Sequence, residues 1–324
     1  MGGFVAYLCG SQISTQDMLM KAAICTQYGP PEVLAIQEVP RPRPKADEVL
    51  VKIMSSAVNS GDVRVRGLAV EGLMKVIMRL VLGISKPRKP ILGTVYAGTV
   101  EEVGAKAVGF NVGDRVFGMT GFGFGTHAEY VAVKANGTIS PMPTNATFDE
   151  AASLVFGGQT AIYFLEKAKL AQKTNPTVLI IGATGAVGVA AEQLSQQYGA
   201  NVTAVCSSAG RPLVEELGVS NIILYDQEDF TQLNDRFDLV FDAVGKTTQK
   251  QCKKLVAEGG IYKTVGGMEY ASESRAQLTQ LKELFEKGRL RAIIDRSFRL
   301  DAIVEAHRYV DSGRKKGSVV VRIA

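Results

Sequence analysis

The chain has 324 residues, 46% hydrophobic and 21% charged, with a formal net charge of +5; at roughly 100–200 residues per domain this predicts two globular domains rather than a disordered or fibrous chain. Cys9, Cys25, Cys206 and Cys252 are too far apart for a CxxC motif or a cysteine zinc knuckle, and with only His127 and His307 beside them no metal site is expected. The basic surplus is spread out, densest at Arg314-Lys315-Lys316, and no apolar run reaches the ~18 residues of a membrane span, so neither nucleic acid nor a membrane is an expected partner, and a reducing cytoplasm is the expected compartment.

Residues 1–17, MGGFVAYLCGSQISTQD, lack the basic n-region of a secretory signal. They read as an upstream start or a cloning remnant, loosely ordered, with an added edge strand or subunit contact as the alternative. Short strands then alternate at Glu48–Ile53, Ala97–Val103 and Arg115–Phe117, separated by glycine and proline turns and followed by a glycine-rich loop over Phe117–Gly125. That rhythm predicts an antiparallel β domain of Greek-key type. Within it, Leu73–Lys89 sets Met74, Ile77, Met78, Leu80 and Val81 against Lys75 and Arg79. This amphipathic stretch is expected to be a lid or part of the core, the alternative being a membrane-surface helix. Ser140-Pro141-Met142-Pro143 reads as a link to the second half of the chain.

The strongest chemical signal is the run Thr177–Ile181 followed by Gly182-Ala183-Thr184-Gly185-Ala186-Val187-Gly188 and a helical stretch that ends at Gly199. This is strand, tight turn, helix. The first glycine lets the chain turn off the strand, the second lets backbone N–H groups reach a pyrophosphate, and the third lets the helix pack closely on the sheet. The helix N-terminus then offers free donors to phosphate oxygens. Further strands are expected at Asn201–Cys206, Asn221–Asp226, Phe237–Val244 and Gly260–Gly266, with helices near 211–217, 228–235 and 247–257. Such alternation predicts a doubly wound parallel sheet, an α/β fold, with ligands beyond the carboxyl ends of its strands. Those ends carry Gly182, Ser207, Ser208, Ala243, Val244, Val265, Gly266 and Gly267, small enough for a long flat ligand. No acid stands in the second strand's exit before Glu215, whereas Ser207, Ser208 and Arg211 do, and that points to NADPH rather than NADH.

Ordered motifs over the chain from about Met20 onward resemble the medium-chain dehydrogenase/reductase superfamily. They include Tyr28-Gly29-Pro30-Pro31-Glu32-Val33-Leu34, Glu48-Val49-Leu50-Val51-Lys52, Ala97-Gly98-Thr99-Val100-Glu101-Glu102-Val103-Gly104, Val112-Gly113-Asp114-Arg115-Val116-Phe117-Gly118 and His127-Ala128-Glu129-Tyr130-Val131. The resemblance implies a GroES-like catalytic domain over 18–142 and 289–324, and a Rossmann NADPH-binding domain over 143–288. Zinc members have a cysteine near Ser60-Gly61-Asp62 and a Gly-His-Glu at Gly93-Thr94-Val95; here Thr94 and Val95 stand in the metal positions. With Asn59 and Asp62 in an Asn-x-x-Asp motif, the chain is similar to the zinc-independent quinone oxidoreductase branch. It departs at Arg64, where many members have Tyr, and at Ala209 and Gly210, where some NADP members have Lys.

From this the resemblance implies hydride transfer from NADPH to a quinone or an α,β-unsaturated carbonyl, in a homodimer. The alternative is a non-catalytic NADPH-binding sensor or structural homologue. Asn59 and Thr160 are the implied nicotinamide-side contacts, Tyr96 a candidate substrate-facing donor with a packed strand aromatic as the alternative, and Tyr225 and Lys316 (or Lys315) candidates beside the adenosine phosphate, joining Gly182, Thr184, Gly185, Ala186, Val187 and Gly188 of the turn. His127 and His307 are expected to serve packing.

Overall fold

A computed structural model describes residues 18–68, 79–267 and 269–324. The leader over 1–17 and residues 69–78, with the first six residues of the amphipathic stretch, lie outside the described residues. Strands β1 (Leu19–Cys25) and β2 (Leu34–Pro40) form an antiparallel ribbon, Leu19 opposite Pro40 and Cys25 opposite Leu34. A seven-stranded sheet is built on β3 (Glu48–Val58), β4 (Val95–Val103), β5 (Arg115–Met119), β6 (Tyr130–Lys134) and β7 (Ile139–Pro141). Strand β3 runs five residues past its expected end. Its serines look like turn residues but are paired inside: Ser56 Oγ donates to the Val95 carbonyl at 2.7 Å, and Ser55 Oγ to Asp149. Helix α1 (Ser60–Gly67) comes directly after β3.

The long helix α2 (Phe148–Lys167), started by a capping box of Thr147 and Glu150, leads into a second sheet. There β8 (Thr177–Ile181), α3 (Ala186–Gln197), β9 (Asn201–Cys206), α4 (Arg211–Glu216), β10 (Asn221–Leu224), β11 (Phe237–Asp242) and β12 (Val256–Thr264) alternate. All pairings are parallel in the order β10-β9-β8-β11-β12. Helix α5 (Arg275–Glu286) comes next; β13 (Ile294–Arg299), α6 (Ile303–Asp311) and β14 (Ser318–Arg322) then return to the first sheet, where β14 pairs antiparallel with β3. The architecture is the expected one, a GroES-like antiparallel domain joined to a Rossmann α/β domain. Helix α2 ties them together, touching β3, β4 and β14 on one side and α3 and α5 on the other.

Two expected helices do not form. Residues 228–235 hold a single 3-10 turn at Phe230–Gln232, and 247–257 another at Lys253–Leu255. In the second case the Asp242 carboxylate accepts the N–H groups of Val244, Gly245 and Thr247, which fixes the chain in a loop. Strand β12 also begins four residues before its expected start, at Val256. Its register on β11 shifts at Gly259 and Gly260, and that bulge hides the strand from a reading by alternation.

Candidate active site

The site lies where the end of β3, the start of β4, helix α2 and the carboxyl ends of the parallel strands converge. Asn59, on leaving β3, caps α1: its Oδ1 accepts from Gly61 N at 2.8 Å and Asp62 N at 3.2 Å, while Asp62 Oδ2 accepts from Asn59 N at 2.9 Å. Asn59 Nδ2 donates to Thr94 Oγ1 at 2.9 Å, and Gly93 N donates to Asp62 Oδ1 at 3.0 Å. The Asn-x-x-Asp motif is therefore a clamp holding Gly93 and Thr94 against α1. Burial pushes the Asp62 carboxyl up to about 7, against the pull of the two N–H donors. Replacing Asn59 by Ala should cost about 1–2 kcal/mol through the lost cap and free Thr94, read as a lower midpoint in thermal unfolding.

Beneath this clamp the backbone is crowded. A Cβ on Gly93 (φ +84°) would lie 2.4 Å from His127 Cδ2 and 2.5 Å from Thr126 Oγ1. His127 and His307 are wholly buried, ring edge against ring face at 5.5 Å. Loss of solvent brings His127 down to about 4 and lowers His307 further, with the Arg66 guanidinium 3.2 Å from its Nδ1. Both rings serve packing.

Tyr96 is fully buried in the core and reaches no surface. It sits on β4 between Ser56 and Gly118, fully buried among Val49, Ile53, Val116 and Ile139, its hydroxyl without a partner among the described residues. A Cβ on Gly118 would come within 2.6 Å of that hydroxyl. Sheet and core cover both faces of β4 here.

Helix α2 carries Thr160, half-buried, three residues after Gly157. A Cβ on Gly157 would be 2.1 Å from the Ala186 carbonyl, so the α2 backbone rests on the start of α3, and Thr160 comes one turn later on that face. The neighbouring Gln159 side chain contacts Met119 Sδ at 3.9 Å and accepts from Ser274 N at 3.1 Å, joining the two domains beside the site. The Glu273 carboxyl, raised by desolvation, lies over Gly121, 2.8 Å from where a Cβ would be. Local spacing in the sequence gave no signal for Glu273 or for Thr94 as the partner of Asn59.

The glycine turn is built as its residues require. Gly182 has φ +78°, and a Cβ there would meet Val244 Cγ1 at 2.4 Å. At Gly188 it would meet the Gly182 carbonyl at 2.3 Å. Gly185 is different: it caps α3 with extended backbone, and its Cβ would find nothing nearer than 3.5 Å. The first helical bond runs from Val189 N to the Gly185 carbonyl, so the N–H groups of Ala186, Val187 and Gly188 have no helical acceptor. This cradle fits a pyrophosphate. Thr184 accepts from Gly317 N at 2.7 Å, which brings Lys316 alongside. Ala243 is buried and Val244 partly exposed at the next strand end, while Val265 N bonds the Asp242 carbonyl and Gly266 lies against Gly245, with Gly267 beyond.

The residues expected around the adenosine phosphate are brought together. Lys316 Nζ reaches the Ala209 carbonyl, Tyr225 N bonds the Cys206 carbonyl at 3.0 Å beside Ser207, and Arg211 is exposed and paired with Glu215. The expectation of a corner free of acid up to Glu215 does not hold in space. Asp226, from the end of β10, places Oδ1 3.0 Å from Ser208 N and 3.0 Å from Ser208 Oγ.

Residues 45–144 match the family described as alcohol dehydrogenase GroES-like domain, and 217–274 and 264–321 that described as zinc-binding dehydrogenase. The chain is 33% identical over 321 residues to a 2-methylene-furan-3-one reductase of Solanum lycopersicum, covering 93% of this chain and 79% of that one. It is 28% identical over 319 residues to the chloroplastic NADPH-dependent alkenal/one oxidoreductase of Arabidopsis thaliana, with 93% and 79% covered. Among solved structures, the quinone oxidoreductase of Coxiella burnetii superposes with a TM-score of 0.85 at 28% identity, over 94% of this chain and all of that one. With the glycine cradle and the clamp at Asn59, these likenesses make the chain a member of the medium-chain dehydrogenase/reductase superfamily, quinone oxidoreductase-like and an oxidoreductase that uses a nicotinamide cofactor.

Proposed function

We propose that this protein is an NADPH-dependent reductase that delivers a hydride, without zinc, to a quinone or an α,β-unsaturated ketone or aldehyde. The observation that carries the reading is the turn at Gly185, where a Cβ would meet only ordinary contacts at 3.5 Å and beyond while Gly182 and Gly188 have no room for one, with the N–H groups of Ala186, Val187 and Gly188 left without helical acceptors. NADPH when bound supplies the hydride, and a conjugated acceptor spreads the incoming charge, so hydrogen-bond donors suffice to stabilise it. Ala186, Val187 and Gly188 offer their N–H groups to the pyrophosphate. Ser208, Arg211 and Lys316 are the donors for an adenosine 2′-phosphate, with Ser207 and Tyr225 beside them. Thr160 and Asn59 border the nicotinamide end, and Thr94 presents its hydroxyl there.

The donor chemistry supports a metal-free site. Thr94 and Val95 replace an imidazole and a carboxylate, and among the described residues no three His, Cys, Asp or Glu side chains converge. The free, buried Cys25, Cys206 and Cys252 support a reducing compartment such as the cytoplasm. The names of the tomato and Arabidopsis relatives support the enone class of acceptor.

The test is loss of reduced-nicotinamide absorbance with a panel of small quinones and enones, with and without a strong chelator. Turnover on at least one acceptor, unchanged by chelation, is expected. A chelator-sensitive rate overturns the zinc-free reading; tight NADPH binding without turnover on any acceptor would mark a non-catalytic binder.

A further inference from the structure

We propose that Asp226 is the cofactor-selectivity residue of this protein: its carboxylate occupies the place of an adenosine 2′-phosphate on Ser208, so NADPH binds by displacing it and NADH binds with it in place. The inference rests on the proposed nicotinamide site. Asp226 Oδ1 accepts from Ser208 N at 3.0 Å and from Ser208 Oγ at 3.0 Å, and Oδ2 lies 3.1 Å from the same N–H. Gln227 Nε2 closes the group by donating to Ser208 Oγ at 3.0 Å. A backbone N–H, a hydroxyl and a nearby ammonium, that of Lys316 on the Ala209 carbonyl, form the kind of donor set that a phosphate monoester takes. Here an internal anion holds it.

The other nearby cation is engaged as well: Arg211 Nε binds Glu215 at 2.8 Å, both side chains about half exposed, in a pairing that water screens and a dianion can replace. A 2′-phosphate must therefore break the bonds of Ser208 to Asp226 and settle near a carboxylate, a penalty that a free ribose 2′-hydroxyl does not meet. The hydroxyl can instead donate to Asp226. Because Asp226 lies just past β10 while Ser208 lies just past β9, the stretch after β9 looks acid-free in sequence.

The full chain and its Asp226→Asn and Asp226→Ala variants are titrated with NADPH and NADH by reduced-nicotinamide fluorescence, and with 2′,5′-ADP and ADP by calorimetry. Asp226→Asn keeps the shape of the loop and removes the charge. Expected is an approximately tenfold tighter Kd for NADPH and for 2′,5′-ADP in both variants, with NADH and ADP within about threefold of wild type. Unchanged NADPH and 2′,5′-ADP affinities overturn the assignment. So does a loss of NADH affinity with no gain for NADPH, which would make Asp226 a ribose ligand only. Failure of wild type and variants to bind any of the four nucleotides removes the proposed function, and this assignment with it; that outcome differs from the first two because there the wild type still binds nucleotide.

Discussion

Replacing Gly185 by Ala is expected to leave the thermal midpoint within a degree or two of wild type and to weaken NADPH and NADH binding by tenfold or more. The backbone at this residue is extended, with φ −74° and ψ 167°, so a side chain brings no strain. Its Cβ would rest in ordinary contact, 3.5 Å from the Gly182 carbonyl and 3.9 Å from Val244 Cγ1. Among the described residues it meets no closer atom outside its chain neighbours, so what it would disturb is a group lying over the N–H donors of Ala186 and Val187. Gly188→Ala is the contrast. That Cβ would stand 2.3 Å from the Gly182 carbonyl and 2.6 Å from that of Ala183, both backbone atoms of the turn itself. Overpacking of this kind costs about 1–3 kcal/mol, with more where the backbone cannot shift, so this variant should lose stability as well as binding. Fluorescence titration beside thermal unfolding separates the two. Unchanged nucleotide affinity in Gly185→Ala would show that nothing binds across the turn.

Stability should fall as pH rises above about 6.5, where the buried histidines no longer titrate in either state, and Glu192→Leu should remove much of that fall. Glu192 lies in α3 with none of its surface exposed, and neither carboxyl oxygen has a partner among the described residues. Burial raises its carboxyl to about 9, against 4.5 in the unfolded chain. Between those values the folded chain holds a proton that the unfolded chain releases, so each pH unit in the window costs up to about 1.4 kcal/mol. Asp62, raised to about 7 from 3.8, adds to the same decline over its own range. At pH 8 the leucine variant should be more stable by about 3–5 kcal/mol, while at pH 4 it should gain little. His127, lowered to about 4 from 6.5, acts in the opposite direction: the unfolded chain takes up a proton that the folded one refuses, so stability is also lost as pH falls below about 6.5. Denaturant unfolding from pH 4 to 9 checks both limbs. A flat profile for the wild type above about pH 6.5 would show that Glu192 finds solvent or a partner.

The parallel sheet was readable at its first strands because their signals are local. Asn201–Cys206 agrees to the residue with β9, and Thr177–Ile181 with β8, since each is a compact β-branched run closed by small residues. Reading failed where side chains took over backbone hydrogen bonds. Asp242 holds the loop expected to be helical after β11, and buried serines extend β3 through what looks like a turn. Among the site residues, the glycines and the capping motif at Asn59 could be found because spacing of two or three residues encodes them. For Tyr96 the burial decides for the alternative of a packed strand aromatic: its closeness in sequence to the metal positions of zinc relatives says nothing of its neighbours in space, and with β4 covered on both faces a large aromatic there fills the core.

By itself the sequence determined the glycine turn, the alternation of strands and helices behind it, and the lack of imidazole and thiolate at the metal positions of zinc relatives, since each depends only on residue type and short spacing. The tertiary structure decided what those residues touch. Asn59 meets Thr94 across 35 positions, and Asp226 reaches Ser208 across 18, at the end of a different strand. Such pairs form because a parallel sheet gathers its strand ends at one edge and helix α2 packs both domains against it, and no local pattern records which side chains that gathering brings within 3 Å.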